Sequence, residues 1–341
     1  MANTPGLFPI LDSNQRRIGP LARAAGEAPL DSTGCLTEYR PIEVRSILGK
    51  STPRRDLPFT HTINPYRGCE FACRYCYARY THEFLERTPE DFEHKIFFKQ
   101  NAPWLLKQEL ANLKPGTEIA LGTATDPYQP LERRQRITRS ILEVFARSRG
   151  FSLGIVTKSA LITRDLELLE EVSRRHKLTI HITVTTMNTD LARILEPRAP
   201  RPDLRISTLA RLRSAGLRAG VLCSPLMPGV TDSRSSIAAV GKAAAEAGAS
   251  FMAAGALFLK PCSLPTFFQF VKEHFPAQLA AYERRYKDSA FVSPEYRKRV
   301  AEVLDWVCRE YKLGRRYQEM PPSKEMAAPV VDLQPWLPFA S

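Results

Sequence analysis

From about residue 61 the chain alternates short apolar runs with longer amphipathic ones. "TEIALGTA", "FSLGIVTK", "LTIHITVTTM", "LRAGVLCSPL" and "ASFMAAGALFL" are short, apolar and bounded by Gly, Pro or polar residues, which predicts strands. Between them "RQRITRSILEVFARSR", "RDLELLEEVSRR", "PDLRISTLARLRSAG" and "SRSSIAAVGKAAAEAG" have helical spacing and charge. The last two end on Gly216 and Gly248, suited to stop a helix because glycine tolerates the left-handed conformation. Strand and helix alternating at this interval predict a parallel sheet with right-handed crossovers, either open or curled into a (β/α) barrel. In both forms reactive groups gather at the carboxyl ends of the strands.

The flanks read differently. Residues 1–60 are rich in turn formers and mixed charge without a sustained period, predicting a largely irregular extension, part of which wraps the core. After residue 265, "PTFFQFVKEHFPAQLAAYERRY" and "SPEYRKRVAEVLDWVCREYKLGRRY" predict helices, and the proline-rich tail from Met320 is expected to be extended. The expected division is an extension over 1–60, a core over 61–275, and a helical segment with its tail over 276–341.

Composition changes this picture in three ways. Hydrophobic residues at 43% and charged residues at 25% are ordinary for a globular protein. No apolar run of 18 or more residues occurs, and the start lacks the charged-then-apolar order of a secretory signal, so a cytoplasmic protein without a membrane span is expected. Lys+Arg 49 against Asp+Glu 36 gives 49 − 36 = +13, a sign that favours polyanionic partners such as nucleic acid. Arg133 to Arg149 holds six arginines and one acid, and Arg193 to Arg218 holds seven arginines and two acids. The plain alternative is a set of solvated helix faces.

Seven cysteines, an odd count in a chain expected inside the cell, argue against a disulfide framework and for metal or redox chemistry. Three of them, Cys69, Cys73 and Cys76 in "NPYRGCEFACRYCYARY", sit at i, i+4 and i+7 in a segment that Asn64-Pro65 and Gly68 mark as a loop. Thiolates suit zinc or iron–sulfur clusters, and closed sites of either kind usually have four protein ligands. Three leave one coordination position open, and on a [4Fe–4S] cluster that is one iron able to bind something from outside. A Cys3His zinc site using His61 or His82 is the alternative, though the spacing lacks the paired C-x2-C knuckles of common zinc modules.

The pattern C-x3-C-x-φ-C, with Tyr75 before the last cysteine, resembles the cluster-binding loop of the radical S-adenosylmethionine (SAM) superfamily. The resemblance implies an α/β fold built as a partial (β/α)6-type barrel of parallel strands. It also implies a [4Fe–4S] cluster on Cys69, Cys73 and Cys76, and SAM as cofactor, cleaved reductively to a 5′-deoxyadenosyl radical that abstracts hydrogen. Within that superfamily, residues 60–275 are similar to the spore photoproduct lyase-like (SplB-like) group. The similarity is carried by "NPYRGCEFACRYCYAR", "GTATDPYQPLE", "VTKS" and "ILEPRAP...LARLRSAGLRAGVLCSPLMPGVTD".

From that resemblance Thr123 and Asp126 are candidates to hold the SAM amino group, Lys158 its carboxylate, and Thr185 or Thr186 its ribose or carboxylate. Arg198 and Arg205 are candidates for SAM or a substrate phosphate. Tyr75 and Tyr77 match the radical-relay tyrosines of the lyase. A cysteine that returns hydrogen in that enzyme has no counterpart here, since none occurs between Cys76 and Cys223. Cys262, in "LFLKPCSLP" just past the last predicted barrel strand, is the candidate substitute; the plain reading is a small buried hydrophobe. Cys223 is expected inside a strand, and Cys35 and Cys308 look incidental. The group implies a nucleic-acid substrate, DNA-repair lyase chemistry, and a reductant such as flavodoxin or ferredoxin. Two alternatives are a radical SAM enzyme acting on a peptide or small metabolite, and a basic nucleic-acid-binding module whose thiols hold zinc or a structural cluster.

Overall fold

The computed structural model describes residues 19–34, 36–51 and 59–315. Six strands, β1 (His61–Ile63), β2 (Glu118–Leu121), β3 (Ser152–Thr157), β4 (Lys177–Thr183), β5 (Ala219–Leu226) and β6 (Phe251–Ala256), lie side by side in chain order. All run parallel. Because the order never reverses, each crossover advances the same way and the sheet curls towards a barrel. Closure is incomplete: Leu48–Lys50 pairs antiparallel with β1 at one edge, and Gly314–Arg315 pairs with β6 at the other. The expected α/β partial barrel is the fold observed.

The crossovers carry helices α1 (Ala102–Leu110), α2 (Ile137–Ala146), α3 (Leu166–Arg175), α4 (Pro202–Ser214) and α5 (Arg234–Glu246). In α2 the buried Ile137, Thr138, Ile141, Leu142 and Phe145 fall on one stripe, which is why this stretch is a helix lying on the sheet. In β3 burial alternates residue by residue, with Leu153 and Ile155 fully enclosed. Three further helices, α6 (Leu264–His274), α7 (Leu279–Tyr286) and α8 (Pro294–Glu310), follow β6.

Within residues 1–60 the described part is more regular than its sequence pattern. Glu38–Ile42 pairs with Lys95–Lys99 in a second sheet, completed by Ser32–Thr33 and Tyr66–Arg67. Pro41 hides this strand from a sequence reading, since proline disfavours strands. It is tolerated beyond the two-residue pairing with Ser32–Thr33, where only one side of the strand is bonded. Cys35 and the tail from Met320 lie outside the described residues. This second sheet matters for the site because Tyr66–Arg67 leads directly into the cysteine loop.

Candidate active site

Tyr66–Arg67 delivers the chain to Gly68, whose φ of +85° and crowding explain the residue: an added Cβ would stand 2.8 Å from both Ile96 and the Phe92 carbonyl. The loop that follows is tied down at several points. Cys69 N–H donates to the Phe92 carbonyl at 3.0 Å, Arg74 N–H to the Leu195 carbonyl at 2.9 Å, and Cys76 N–H to the Cys73 carbonyl at 3.2 Å. Ala72 adopts a left-handed φ of 55° between the first two thiols.

The segment after β2 clamps this loop. Thr125 Oγ1 and Gln129 Nε2 donate to the Gly68 carbonyl at 2.7 and 3.3 Å, while Gln129 Oε1 accepts from Glu70 N–H at 3.0 Å. Glu70 in turn accepts from Leu131 N–H at 2.8 Å and from the Tyr39 hydroxyl at 2.7 Å. At the end of β1, Asn64 accepts from Ala124 N–H at 2.7 Å and donates to Thr123 Oγ1 at 3.1 Å. The motif "GTATDPYQPLE" therefore acts first as a brace for the thiols. Sequence reasoning misses Asn64, Glu70, Thr125 and Gln129 as site residues; the signal they carry is their place inside this motif and the cysteine motif.

All three thiols line one cavity of about 370 Å³ at the carboxyl ends of the strands, together with Thr123, Asp126, Lys158, Thr183, Ser224 and Phe258. Tyr75 and Tyr77 line it too. Asp126 is spent on the scaffold: it accepts from Thr157 Oγ1 at 2.7 Å, Lys158 N–H at 2.8 Å and Tyr128 N–H at 2.9 Å, while burial raises its pKa. Burial opposes the Lys158 ammonium, yet Cys73 and Glu196 hold its pKa above the usual lysine value. Its Nζ stands 5.8 Å from the centre of the Tyr75 ring.

Behind the loop lies a buried polar network. Glu196 accepts from the Tyr75 hydroxyl, from Thr185 Oγ1 at 2.9 Å, and from Arg205 in an ion pair at 2.5 Å. Burial disfavours that carboxylate, but Arg205 and Lys158 outweigh it and hold its pKa below the usual value. Thr185 is thus a network member, and Thr186 accepts from Asn188 N–H at 3.1 Å; neither is among the cavity residues. Arg198 reaches the Glu93 carbonyl at 3.4 Å, also away from the cavity wall. Cys262 Sγ lies 3.7 Å from Ser263 Oγ and does not line the cavity, whereas Ser263 Oγ donates to the Cys76 carbonyl at 2.9 Å. Cys223 is fully enclosed in β5, and Cys308 is buried in α8.

The thiols are free of disulfides. Burial pushes Cys73 up to about 12 and Cys69 well above the usual value, so without a metal these thiols keep their protons at neutral pH. Cationic iron is what would displace them. Among the described residues no three His, Cys, Asp or Glu side chains converge on a point that would hold a single ion. Neither histidine of the zinc alternative joins the thiols: His82 Nε2 is bonded to the Lys95 carbonyl with its ring against Phe92 and Phe97, and His61 opens β1 at the opposite end of that strand. A cluster that takes each thiolate on a different iron needs no such convergence. The three thiols lining one cavity fit it.

The architecture is that of a partial barrel with three free thiols lining a cavity at its carboxyl end. The Radical SAM superfamily model matches residues 63–238. An uncharacterized protein of Mycobacterium tuberculosis is 32% identical over 291 residues, 85% of each chain. An uncharacterized protein of Methanocaldococcus jannaschii is 30% identical over 193 residues, 56% of this chain and 70% of that one. This chain belongs to the radical SAM superfamily. In fold it is similar to spore photoproduct lyase, with a TM-score of 0.60 at 15% identity over 80% of this chain and 79% of that one. A structure of that lyase complexed with dinucleoside spore photoproduct gives 0.59 at 13% identity, with the same coverage. Membership implies a [4Fe–4S] cluster, SAM and a source of electrons. Among the described residues no helix is long and apolar enough to cross a membrane.

Proposed function

We propose that this radical SAM enzyme acts on nucleic acid by hydrogen abstraction, with lyase-like, repair-type chemistry. The observation that carries the reading is the cavity at the carboxyl ends of the strands, lined by the three thiols together with Lys158, Thr123 and Ser224. Cys69, Cys73 and Cys76 would hold the cluster. When bound, the cluster and SAM supply a 5′-deoxyadenosyl radical.

The chain's own residues position and enclose. Lys158 presents a half-buried positive charge matched to a carboxylate, the group SAM carries at its methionine end. Asp126 fixes the peptide that bears Lys158 to the loop that bears Thr123, so two sides of the cofactor pocket move as one. Phe71, Leu257 and Phe258 supply apolar wall that excludes water from the reacting volume. Tyr77, on the cavity wall with its hydroxyl donating to the Thr123 carbonyl, is better placed for a radical relay than Cys262, which faces elsewhere. Tyr75 is held by Glu196 deeper in the wall.

The net charge of +13 and the fold shared with a lyase complexed with a dinucleoside photoproduct support nucleic acid over a peptide or small metabolite. Flavodoxin or ferredoxin is the proposed electron source. The test is anaerobic reduction of the reconstituted protein with SAM. Deoxyadenosine should form, and faster when nucleic acid is added than when a pool of peptides or small metabolites is added. Faster formation with the latter pool would overturn the substrate assignment.

A further inference from the structure

Part of the arginine-rich charge lies away from the mouth. Crossover helices run antiparallel to the strands, so Arg147, Arg149, Arg211 and Arg213 sit at the face opposite the cavity. Others serve the fold: Arg139 pairs with Asp165 and Glu167, Arg205 with Glu196, and Arg213 donates to the Gly248 carbonyl.

Beside the mouth, an aromatic path leads out of the cavity. The Tyr77 ring lies 5.7 Å from Phe258, and Phe258 stacks on Phe291 at 4.7 Å with planes 30° apart. Phe291 is 50% exposed, an unusual position for a phenylalanine on a built loop. The loop is fixed, since Leu259 N–H donates to the Ala290 carbonyl at 3.0 Å and Phe291 N–H to Ser289 Oγ at 3.0 Å. Phe291 then lines a second cavity, of about 530 Å³, with Arg285 and Arg297. Among the described residues neither guanidinium makes a close ion pair, although the Glu295 carboxylate feels the Arg297 charge; Arg285 lies near the Tyr282 and Tyr296 rings, at 6.0 and 5.9 Å.

We propose that Phe291 and the Arg285–Arg297 pair form a strand-anchoring subsite, where a base next to the reacting nucleotide stacks on Phe291 and its phosphate meets the two guanidinium groups. This rests on the nucleic-acid reading above and adds where the strand lies. An exposed ring accepts the face of any unpaired base, and arginines attract phosphate, so the ligand is a single strand or a locally opened duplex.

The experiment measures binding of a labelled single strand of about 12 nucleotides, within the span such surfaces cover, to the anaerobic holoenzyme. Phe291→Ala should bind about tenfold more weakly, and Phe291→Trp should restore the affinity. Arg285→Gln with Arg297→Gln should flatten the slope of log affinity against log salt by about 0.7 for each phosphate no longer neutralised. Arg174→Gln with Arg175→Gln, at the far end of α3, should bind like wild type. Wild-type affinity in Phe291→Ala, with an unchanged salt slope in the arginine pair, would overturn the subsite while leaving the substrate class standing. A wild-type protein that binds no strand at all would overturn both.

Discussion

Two of the hydrophobic cores are built differently. Between the sheet and its crossover helices the packing is largely aliphatic, with Ile119, Leu121, Leu153, Ile155, Ile180 and Ile182 enclosed in successive strands. Around the cysteine loop the core is rich in aromatics and sulfur: Phe71, Tyr75, Phe92, Met227, Phe267, Tyr282 and Tyr286 share one cluster with Cys69 and Cys73. There each tyrosine hydroxyl has its own acceptor, Glu196 for Tyr75, the Pro228 carbonyl for Tyr282 and the Leu257 carbonyl for Tyr286. The aliphatic core is redundant, because many similar contacts share the load. The site-side core is specific, because a buried polar group deprived of its one partner costs more than a lost methyl.

The sharpest separation comes from Cys73→Ala. Outer groups around a metal typically cost 10- to 100-fold when removed, so loss of a ligand should lower deoxyadenosine formation by more than about 100-fold. The far-ultraviolet circular dichroism should stay that of a folded barrel. Retained cleavage would mean that the cavity thiols do not hold the cluster.

Next in size is Glu196→Ala, which strands the Arg205 guanidinium inside the protein. Breaking a buried pair in this way should cost about 3–5 kcal/mol in denaturant unfolding. A loss below about 1 kcal/mol would show that the site-side core is as forgiving as the aliphatic one.

A third test uses pH. Burial holds His82 down to about 4 in the folded state, against 6.5 as its ordinary value. The unfolded chain therefore binds the proton first, and stability should fall as pH drops from about 6.5 towards 4, by at most about 1.4 kcal/mol per pH unit from this group. In His82→Phe that part of the slope should vanish; an unchanged slope would assign it to other groups.

The smallest effect is expected from Ile155→Val in the aliphatic core. It should cost about 0.5–1.5 kcal/mol and leave SAM cleavage per folded molecule as in wild type. A marked fall in cleavage would show that the two cores are not separable.

Much of this division follows from how each region is encoded. The strands β2 to β6 and helices α2 to α5 are legible because short apolar runs alternate with longer amphipathic ones along the chain. The strand Glu38–Ile42 is not, since Pro41 interrupts its pattern and its partner, Lys95–Lys99, is far along the chain. At the site, the three cysteines are legible from spacing alone. Lys158 and Thr123 can be placed near them because both follow strands. Thr185 and Thr186 follow the same logic yet reach into the scaffold, because the direction a side chain takes after a strand depends on the loop that follows.

The sequence by itself determined the alternation that builds a parallel barrel, and a loop of three thiols one ligand short of closure, since both are local patterns. Only the tertiary structure decided that Glu196 would hold Tyr75 from 121 residues away, that Gln129 would brace Gly68, and that Phe291 would stack on Phe258 and line a cavity with two arginines. The reason is physical: periodicity fixes which face of an element is buried, while a bond between distant side chains exists only once the chain has closed and brought their donors and acceptors together.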